Sequence, residues 1–136
     1  MVSEEKLIEL FCKALEASKN SYSPYSKFPV GAAILSEDGR VFTGCNVENR
    51  SYGLTNCAER TAMFTAAAEG VRRIAAVAIA APKADYPVGP CGACRQVLTE
   101  FGDGKVPVVF GSKIENLQHS TLAELYPCDS LHELAQ

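Results

Sequence analysis

The chain has 136 residues, of which 47% are hydrophobic and 21% are charged. This balance is typical of one globular domain over residues 1–136, and it excludes wholesale disorder. Thirteen Lys and Arg against sixteen Asp and Glu leave a formal net charge of −3. The chain therefore lacks the positive field with which proteins grip nucleic acid polymers, and a small substrate is the first expectation.

The first third of the chain predicts a helix, a loop and a strand pair. Ser3 can cap a helix that ends near Ser18, because apolar residues recur at helical spacing between them. The segment NSYSPYSKFPV is rich in Ser, Pro and aromatic residues and predicts an ordered loop. Strands are expected at residues 30–35 and 41–45, joined by a hairpin turn at residues 37–39.

The rest of the chain alternates helices with strands. The predicted elements are a helix at residues 57–69 capped by Asn56, a strand at 74–81, a helix at 91–101, strands at 106–110 and 116–119, and a last helical segment opened by a Thr121 and Glu124 capping box. This alternation predicts an α/β fold, a three-layer α/β/α sandwich around a mixed five-stranded sheet.

Cysteine usage indicates where the protein works. The N-terminus has no secretory pattern and no run is long enough to cross a membrane, so the six cysteines predict reduced thiols in the cytoplasm. Clustered thiols in that setting usually bind metal or carry out redox chemistry. Cys12 and Cys45 are expected to be buried small hydrophobes, and His119 and His132 to be ordinary surface or packed residues.

Three of the cysteines have the pattern of a metal site. Cys57 in TNCAERTA, and Cys91 and Cys94 in PCGACRQ, fall at predicted helix starts, where backbone N–H groups stabilise a thiolate. Cys91 and Cys94 are three residues apart and share a helix face, and Cys57 adds a ligand from another element. Three protein ligands with one open position are typical of catalytic zinc, so the sequence predicts one Zn²⁺ per chain.

Two residues beside Cys57 suggest catalysis. Glu59 can lie next to the ion without binding it and can act as a general acid and base. Cys or His two residues before Glu, followed by P-C-x-x-C, is the signature of zinc deaminases. Arg60 can hydrogen-bond the thiolates and withdraw charge from sulfur; the alternative is a surface arginine that solvates the helix.

Four segments resemble the small zinc-dependent cytidine deaminase family over nearly the whole chain. They are YSPYSKFPVGAA, GCNVENRSYG, NCAERTA and GPCGACRQ, which stand in that family's order and at its spacing. The resemblance implies a zinc site of three cysteines with Glu59 as the proton shuttle. It also implies hydrolytic deamination of cytidine and 2′-deoxycytidine to the uridine products and ammonia, a step of pyrimidine salvage.

The same resemblance implies the substrate-binding positions. Asn46 and Glu48 stand at the ribose positions, Phe28 packs on the pyrimidine, the Ala58 backbone N–H faces the base carbonyl, and Tyr52 reaches a neighbouring subunit's site. Taken from the residues alone, turn chemistry explains Asn46 and Glu48 about as well. Core or interface packing is the commoner role for aromatic residues such as Phe28 and Tyr52.

The short members of this family are tetramers with shared sites, so the resemblance implies a homotetramer. The family usually carries a phenylalanine three residues after the proline of LAELYP, but here that position is Ser130, followed by Leu131. We expect Leu131, or a shifted C-terminal segment, to cover the base in an adjacent pocket less well than an aromatic ring would.

Other functions stay open on the residues alone. A noncatalytic module with structural zinc would explain the CxxC pair, although a three-cysteine site with Glu59 opposes it. A thioredoxin-like dithiol at Cys91 and Cys94 would require a pair that forms a disulfide without metal. The acidic charge opposes a polynucleotide substrate, whereas a cytosine-containing nucleoside antibiotic is compatible with the sequence.

Overall fold

The structure is a computed structural model that describes residues 1–134. Its helices and strands are α1 (Glu4–Ser18), β1 (Gly31–Ser36), β2 (Val41–Cys45), α2 (Ala58–Ala68), β3 (Ile74–Ala80), α3 (Gly92–Phe101), β4 (Pro107–Gly111), β5 (Gln118–Thr121) and α4 (Leu122–Leu125). Short 3-10 helices lie at Tyr52–Leu54, Ile114–Asn116 and His132–Leu134. Within residues 1–134, no helix combines the length and the apolar composition that a bilayer crossing requires.

The strand directions bring the ends of β2 and β3 to one edge of the sheet. The strand order is β2-β1-β3-β4-β5, and only β3 and β4 are paired in parallel. Because β1 is antiparallel to both β2 and β3, those two strands run the same way, and Gly31 of β1 is in register with both Cys45 and Ala80. The chain enters α2 after β2 and α3 after β3, so both helices begin at this edge.

Helices cover both faces of the sheet. In β1, Ala32 and Ile34 face the side covered by α2, α3 and α4, whereas Ala33 and Leu35 face α1, as the two-residue period of a strand requires. The α1 residues buried against that second face are Leu7, Leu10, Phe11 and Ala14. The predicted three-layer sandwich with a mixed five-stranded sheet is therefore confirmed.

A close backbone approach at Gly44 sets the position of α2. A Cβ atom at Gly44 would lie 2.4 Å from the Ala62 nitrogen and 2.9 Å from the Ala58 carbonyl oxygen. Only a residue without a side chain allows β2 and α2 to come this close. The first turn of α2, which carries Glu59 and Arg60, is thereby held against the end of β2.

Two predicted boundaries need correction. Cys57, not Asn56, is the N-cap of α2, because the Asn56 side chain instead donates a hydrogen bond of 3.1 Å to Thr61 Oγ1. The last strand is Gln118–Thr121, two residues later than predicted, because the 3-10 helix Ile114–Asn116 occupies the start of the expected strand.

The prediction that Cys12 is buried is wrong. Cys12 is exposed, because the face of α1 that packs on the sheet is formed by Leu7, Leu10 and Phe11 and does not include it. Cys45 is half-buried at the end of β2, and burial raises the pKa of its thiol.

Candidate metal centre and active site

Three cysteine side chains meet where α2 and α3 begin. The Sγ atoms of Cys57, Cys91 and Cys94 all lie within 4.8 Å of one another, with 3.8 Å from Cys57 to Cys91 and 3.5 Å from Cys91 to Cys94. Tetrahedral zinc with Zn–S bonds of about 2.3 Å places its sulfur ligands about 3.8 Å apart. The spacing of the three sulfur atoms therefore fits one zinc ion.

Local chain geometry explains this convergence. Cys57 is the N-cap of α2 and Cys91 is the N-cap of α3, while Cys94 lies in the first turn of α3. The first N–H groups of a helix have no partner within the helix and favour negative charge nearby. Cys94 is buried and Cys91 is exposed, so the cluster is closed on the protein side and open on the other.

Arg60 supplies positive charge to this cluster. Its Nη2 atom donates a hydrogen bond of 3.3 Å to Cys57 Sγ, and its buried Nε has no hydrogen-bond partner among the described residues. Hydrogen bonds from Cys94 and Arg60 lower the pKa of Cys57 to about 5. The contact with Cys57, together with burial, raises the pKa of Cys94. Cys57 therefore ionises before Cys94.

The carboxyl group of Glu59 is buried beside the same thiols. Glu59 is only 4% exposed, and this burial raises its pKa to about 7, with the negative charge of Cys57 acting in the same direction. A carboxyl group that changes protonation near neutral pH can both accept and release a proton during a reaction. The arrangement can therefore combine metal binding with proton transfer.

Most of the hydrogen-bonding groups of the Asn46 side chain bind the loop before β1. Its Oδ1 accepts hydrogen bonds from Ser21 Oγ at 2.5 Å and from the Val30 N–H at 2.9 Å, and its Nδ2 donates to the Phe28 carbonyl at 2.9 Å. An amide side chain has two donor hydrogens and two acceptor lone pairs, so three of these four are used here. One N–H remains for a ligand.

Glu48 is half-buried and organises the neighbouring part of this loop. Its Oε1 accepts hydrogen bonds from the N–H groups of Tyr25 at 3.0 Å and Ser26 at 3.1 Å, and its Oε2 accepts one from Ser26 Oγ. The hydrogen bond from the Ser26 hydroxyl lowers the pKa of Glu48, which is therefore ionised at neutral pH. These three residues, with Tyr52 and Thr55, line a cleft of about 400 Å³.

The other residues predicted at the substrate lie nearby in sequence but differ in exposure. Phe28 is half-buried, Ala58 is fully buried as the first residue of α2, and Tyr52 is 77% exposed with its ring 6.2 Å from that of Tyr25. The predicted site residues thus fall into two groups in the structure. Glu59 and Arg60 lie with the cysteines, whereas Glu48 and Tyr52 line the cleft, whose lining includes none of the three cysteines.

Two serines support the site without any signal in the sequence. Ser21 holds Asn46 and Ser26 holds Glu48 through their hydroxyl groups. Serine is common in any Ser- and Pro-rich loop, so neither residue stands out before the loop is folded. Leu131 lies elsewhere and lines a separate cleft of about 1240 Å³. Residues of α3, of α4 and of the C-terminal segment, residues 126–134, also line this cleft.

The cysteine cluster and the buried Glu59 carboxyl group define a protein that can bind a metal and transfer protons at one site. The family model of the cytidine and deoxycytidylate deaminase zinc-binding region matches residues 4–110. The cytidine deaminase of Sporosarcina psychrophila is 49% identical over 88% of this chain and 87% of its own length. The chain belongs to the zinc-binding cytidine and deoxycytidylate deaminase family.

Solved structures of similar proteins share the fold. The cytidine deaminase of Burkholderia pseudomallei matches with a TM-score of 0.84 at 45% identity, over 93% of this chain and 98% of that one. The cytidine deaminase of Mycobacterium tuberculosis matches with a TM-score of 0.76 at 37% identity, over 93% and 97% of the two chains. Family membership favours a zinc enzyme over a structural zinc module or a thioredoxin-like dithiol.

Proposed function

We propose that the chain catalyses the hydrolytic deamination of cytidine and 2′-deoxycytidine to uridine and 2′-deoxyuridine, with release of ammonia, in pyrimidine salvage. The observation that carries this proposal is a buried Glu59 carboxyl group beside three Sγ atoms that lie within 4.8 Å of one another. Similarity to proteins named cytidine deaminase supports the choice of substrate.

In this proposal Cys57, Cys91 and Cys94 hold one zinc ion. When bound, zinc supplies Lewis-acid activation of water near neutral pH. Three thiolates donate much negative charge to a metal, and the Arg60 guanidinium at 3.3 Å from Cys57 Sγ offsets part of it. The helix N-termini at Cys57 and Cys91 act in the same direction.

Glu59 moves the protons of the reaction. As water oxygen bonds to C4 of the pyrimidine ring, Glu59 takes one proton from that water and gives it to N3. Glu59 then carries the second proton of the water to the amino nitrogen, and the C4–N bond breaks to release ammonia. The N–H of Ala58 has no partner within α2 and can donate to the base carbonyl oxygen.

The sugar and the base would be held by residues at the end of β2 and in the preceding loop. Asn46 keeps one free N–H, and the half-buried, ionised Glu48 has one lone pair left to accept from a sugar hydroxyl group. The half-buried Phe28 would pack on the pyrimidine ring. A site built to bind hydroxyl groups discriminates against a free base that lacks them.

The proposal includes a homotetramer with shared active sites. Tyr52 and Leu54 are 77% and 71% exposed next to the cleft that contains Glu48, and exposed apolar clusters of this kind favour contact with another protein surface. Leu131, 51% exposed, would reach an adjacent pocket. Light scattering of the active enzyme tests this part, and an active monomer would contradict it.

We also place the enzyme in the cytoplasm. All six cysteines of the chain lie within the described residues and are free thiols, as expected of a protein from a reducing compartment. Fractionation of cells that produce the protein, with cytidine turnover as the marker, tests this location.

The central experiment is ultraviolet monitoring of cytidine loss by the purified protein, with elemental analysis of its metal content. We expect about one zinc per chain, turnover of cytidine and 2′-deoxycytidine, and loss of turnover after treatment with a strong chelator. Free cytosine and single-stranded DNA are the comparison substrates. Active protein without zinc would contradict the proposed mechanism. Turnover of free cytosine equal to that of cytidine would contradict the proposed ribose contacts.

A further inference from the structure

Arg95 holds both carbonyl groups that flank the Cα atom of Cys91. Its Nε donates a hydrogen bond of 2.7 Å to the Pro90 carbonyl, and its backbone N–H donates one of 3.0 Å to the Cys91 carbonyl. Arg95 directly follows Cys94 in α3. It therefore connects the helical turn that contains Cys94 to the loop that ends at Cys91.

This anchoring matters because packing alone does not fix Cys91. Cys94 is buried within α3, whereas Cys91 is an exposed N-cap residue outside the helical turn. The preceding residue, Pro90, is fully buried, so its carbonyl needs a hydrogen-bond partner that the protein itself supplies. The bond from the Arg95 N–H is the first backbone hydrogen bond of α3 and would form with any residue at this position. The hydrogen bond from Arg95 Nε to the Pro90 carbonyl is therefore the contact through which the arginine side chain fixes the direction of Cys91.

The same guanidinium extends to the last helix. Nη1 of Arg95 donates a hydrogen bond of 2.6 Å to the carbonyl of Leu125, the last residue of α4, which has no partner within that helix. A second hydrogen bond of 2.6 Å runs alongside, from the Tyr126 hydroxyl to Gln96 Oε1. Two consecutive residues of α3 thus hold Leu125 and Tyr126, at the point where α4 ends.

We propose that Arg95 is a positioning residue of the metal centre, which fixes Cys91 in its ligating position and couples it to the segment that follows α4. The inference rests on the proposed function, since it takes Cys91 as a zinc ligand. An arginine is needed because its rigid, planar group presents separate donors to the Pro90 and Leu125 carbonyls. Lysine offers one ammonium group on a flexible stem and cannot hold both carbonyls in fixed geometry.

The test compares Arg95→Gln and Arg95→Lys with a matched control, Arg72→Gln. Nη1 of Arg72 also donates to two backbone carbonyls, those of Ala67 and Val71, both at 2.9 Å, but Arg72 precedes β3 and so lies at the end opposite the cysteines. Each purified protein is measured by chelator competition for zinc, by the absorption spectrum of its Co²⁺-substituted form, and by thermal melting.

For Arg95→Gln we expect zinc affinity about ten- to a hundredfold weaker, as is usual when a residue supporting a ligand is lost. We also expect a changed Co²⁺ spectrum, with Arg95→Lys intermediate in both readouts and Arg72→Gln unchanged in both. Parental zinc affinity and spectrum in Arg95→Gln would overturn the proposal. An equal loss of zinc in Arg72→Gln would also overturn it, because the effect would then be a general loosening of the fold.

Two features keep the result interpretable. If Arg95→Gln does not fold, Arg95→Lys, which keeps the positive charge, is tested instead. Weaker zinc affinity and a changed Co²⁺ spectrum in Arg95→Lys would support the proposal, and parental values of both would overturn it. Cytidine turnover by the parental protein is measured separately, so a parental protein that binds zinc but leaves cytidine unchanged contradicts the proposed function and not the role of Arg95.

Discussion

The Arg60 guanidinium lies 3.3 Å from the sulfur of Cys57 and donates a hydrogen bond to it. In the proposed mechanism, this contact helps a site of three cysteines to activate water. Thiolate ligands reduce the Lewis acidity of a metal, and a hydrogen bond from a fixed cation withdraws part of that charge. The Nε of the same guanidinium is buried and has no hydrogen-bond partner among the described residues.

The first prediction concerns this cation. Replacing Arg60 with Gln removes its charge, so we expect zinc affinity or turnover to fall about ten- to a hundredfold. Chelator competition and cytidine turnover measure the two effects. Arg73→Gln is the control, because Arg73 is exposed and its side chain forms a 3.8 Å ion pair with Glu37, away from the cysteines. Unchanged zinc affinity and turnover in Arg60→Gln would reduce Arg60 to a residue that solvates the helix.

The second prediction concerns Glu59. The variant Glu59→Gln keeps the size of the side chain but cannot carry a proton, so we expect turnover to fall about a hundred- to ten-thousandfold. Zinc content should stay at the parental level, because the proposed ligands are untouched. Steady-state kinetics and elemental analysis measure the two quantities. A loss of turnover below about tenfold would show that another group handles the protons.

The third prediction separates the two ribose positions. Glu48 is half-buried, and the Tyr25 and Ser26 groups that it holds belong to exposed residues, so water can replace its hydrogen bonds. Glu48→Ala should therefore raise KM for cytidine and lower the free energy of unfolding less than Asn46→Ala does. Asn46 is 8% exposed and holds three partners, so Asn46→Ala should also destabilise the fold by about 1–3 kcal/mol, the cost of leaving buried groups unpaired.

Cytidine kinetics and urea unfolding measure this contrast. Ser21→Ala serves as the control for Asn46, because it removes one of the Asn46 partners without touching the amide. Equal destabilisation by the Glu48 and Asn46 variants would contradict the division of roles, and an unchanged KM in Glu48→Ala would remove Glu48 from the ribose site.

The fourth prediction concerns the contact between β2 and α2. A methyl group at Gly44 would lie 2.4 Å from the Ala62 nitrogen, which is backbone and cannot turn aside. Gly44→Ala should therefore destabilise the protein by about 1–3 kcal/mol and displace the start of α2. Gly53→Ala is the control, since a Cβ there would meet nothing within 4 Å. Equal thermal melting of the two variants would contradict this account.

Much of the fold could be predicted because local patterns and global packing agree in this chain. The apolar spacing of α1 and the alternation in β1 each match the face that is buried. The error at Cys57 arose because Asn56 is the better capping residue by type, yet its amide is drawn to Thr61 Oγ1 instead. Competition between two nearby partners is decided by three-dimensional geometry, which a single sequence does not specify.

The candidate site also has a part that could be predicted from the sequence and a part that could not. The three cysteines could be brought together in prediction, because their spacing and their places at two helix starts fit one zinc ion. The strand order that places both helix starts at one edge of the sheet was not predicted. The contacts that support the site could not be predicted. Arg95 donates to the Leu125 carbonyl, 30 residues away, and Ser26 donates to the Glu48 carboxylate, 22 residues away. No periodicity marks which backbone carbonyl a guanidinium faces, so these contacts are visible only in the folded chain.

The fifth prediction concerns the pH dependence of stability once zinc has been removed by a chelator. Burial raises the pKa of Glu59 from 4.5 to about 7, so the folded state binds this proton more tightly than the unfolded state does. Below about pH 4.5 both states are protonated and the buried carboxyl group costs nothing. Between about pH 4.5 and 7 the unfolded state has lost this proton and the folded state still holds it, so stability falls by about 3 kcal/mol in total and stays at the lower level above pH 7.

Glu59→Gln has no proton to lose, so the variant should become more stable than the parent as pH rises. Urea unfolding of both chelator-treated proteins at about pH 5 and about pH 8 measures this, and we expect the advantage of the variant to grow by about 2 to 3 kcal/mol between them. Zinc must be absent, because a cation beside the carboxylate would lower its pKa. Glu100→Gln, which removes an exposed carboxylate, controls for the change in net charge. A constant difference between parent and Glu59→Gln across this range would mean that Glu59 is already ionised in the folded protein, or that water reaches it.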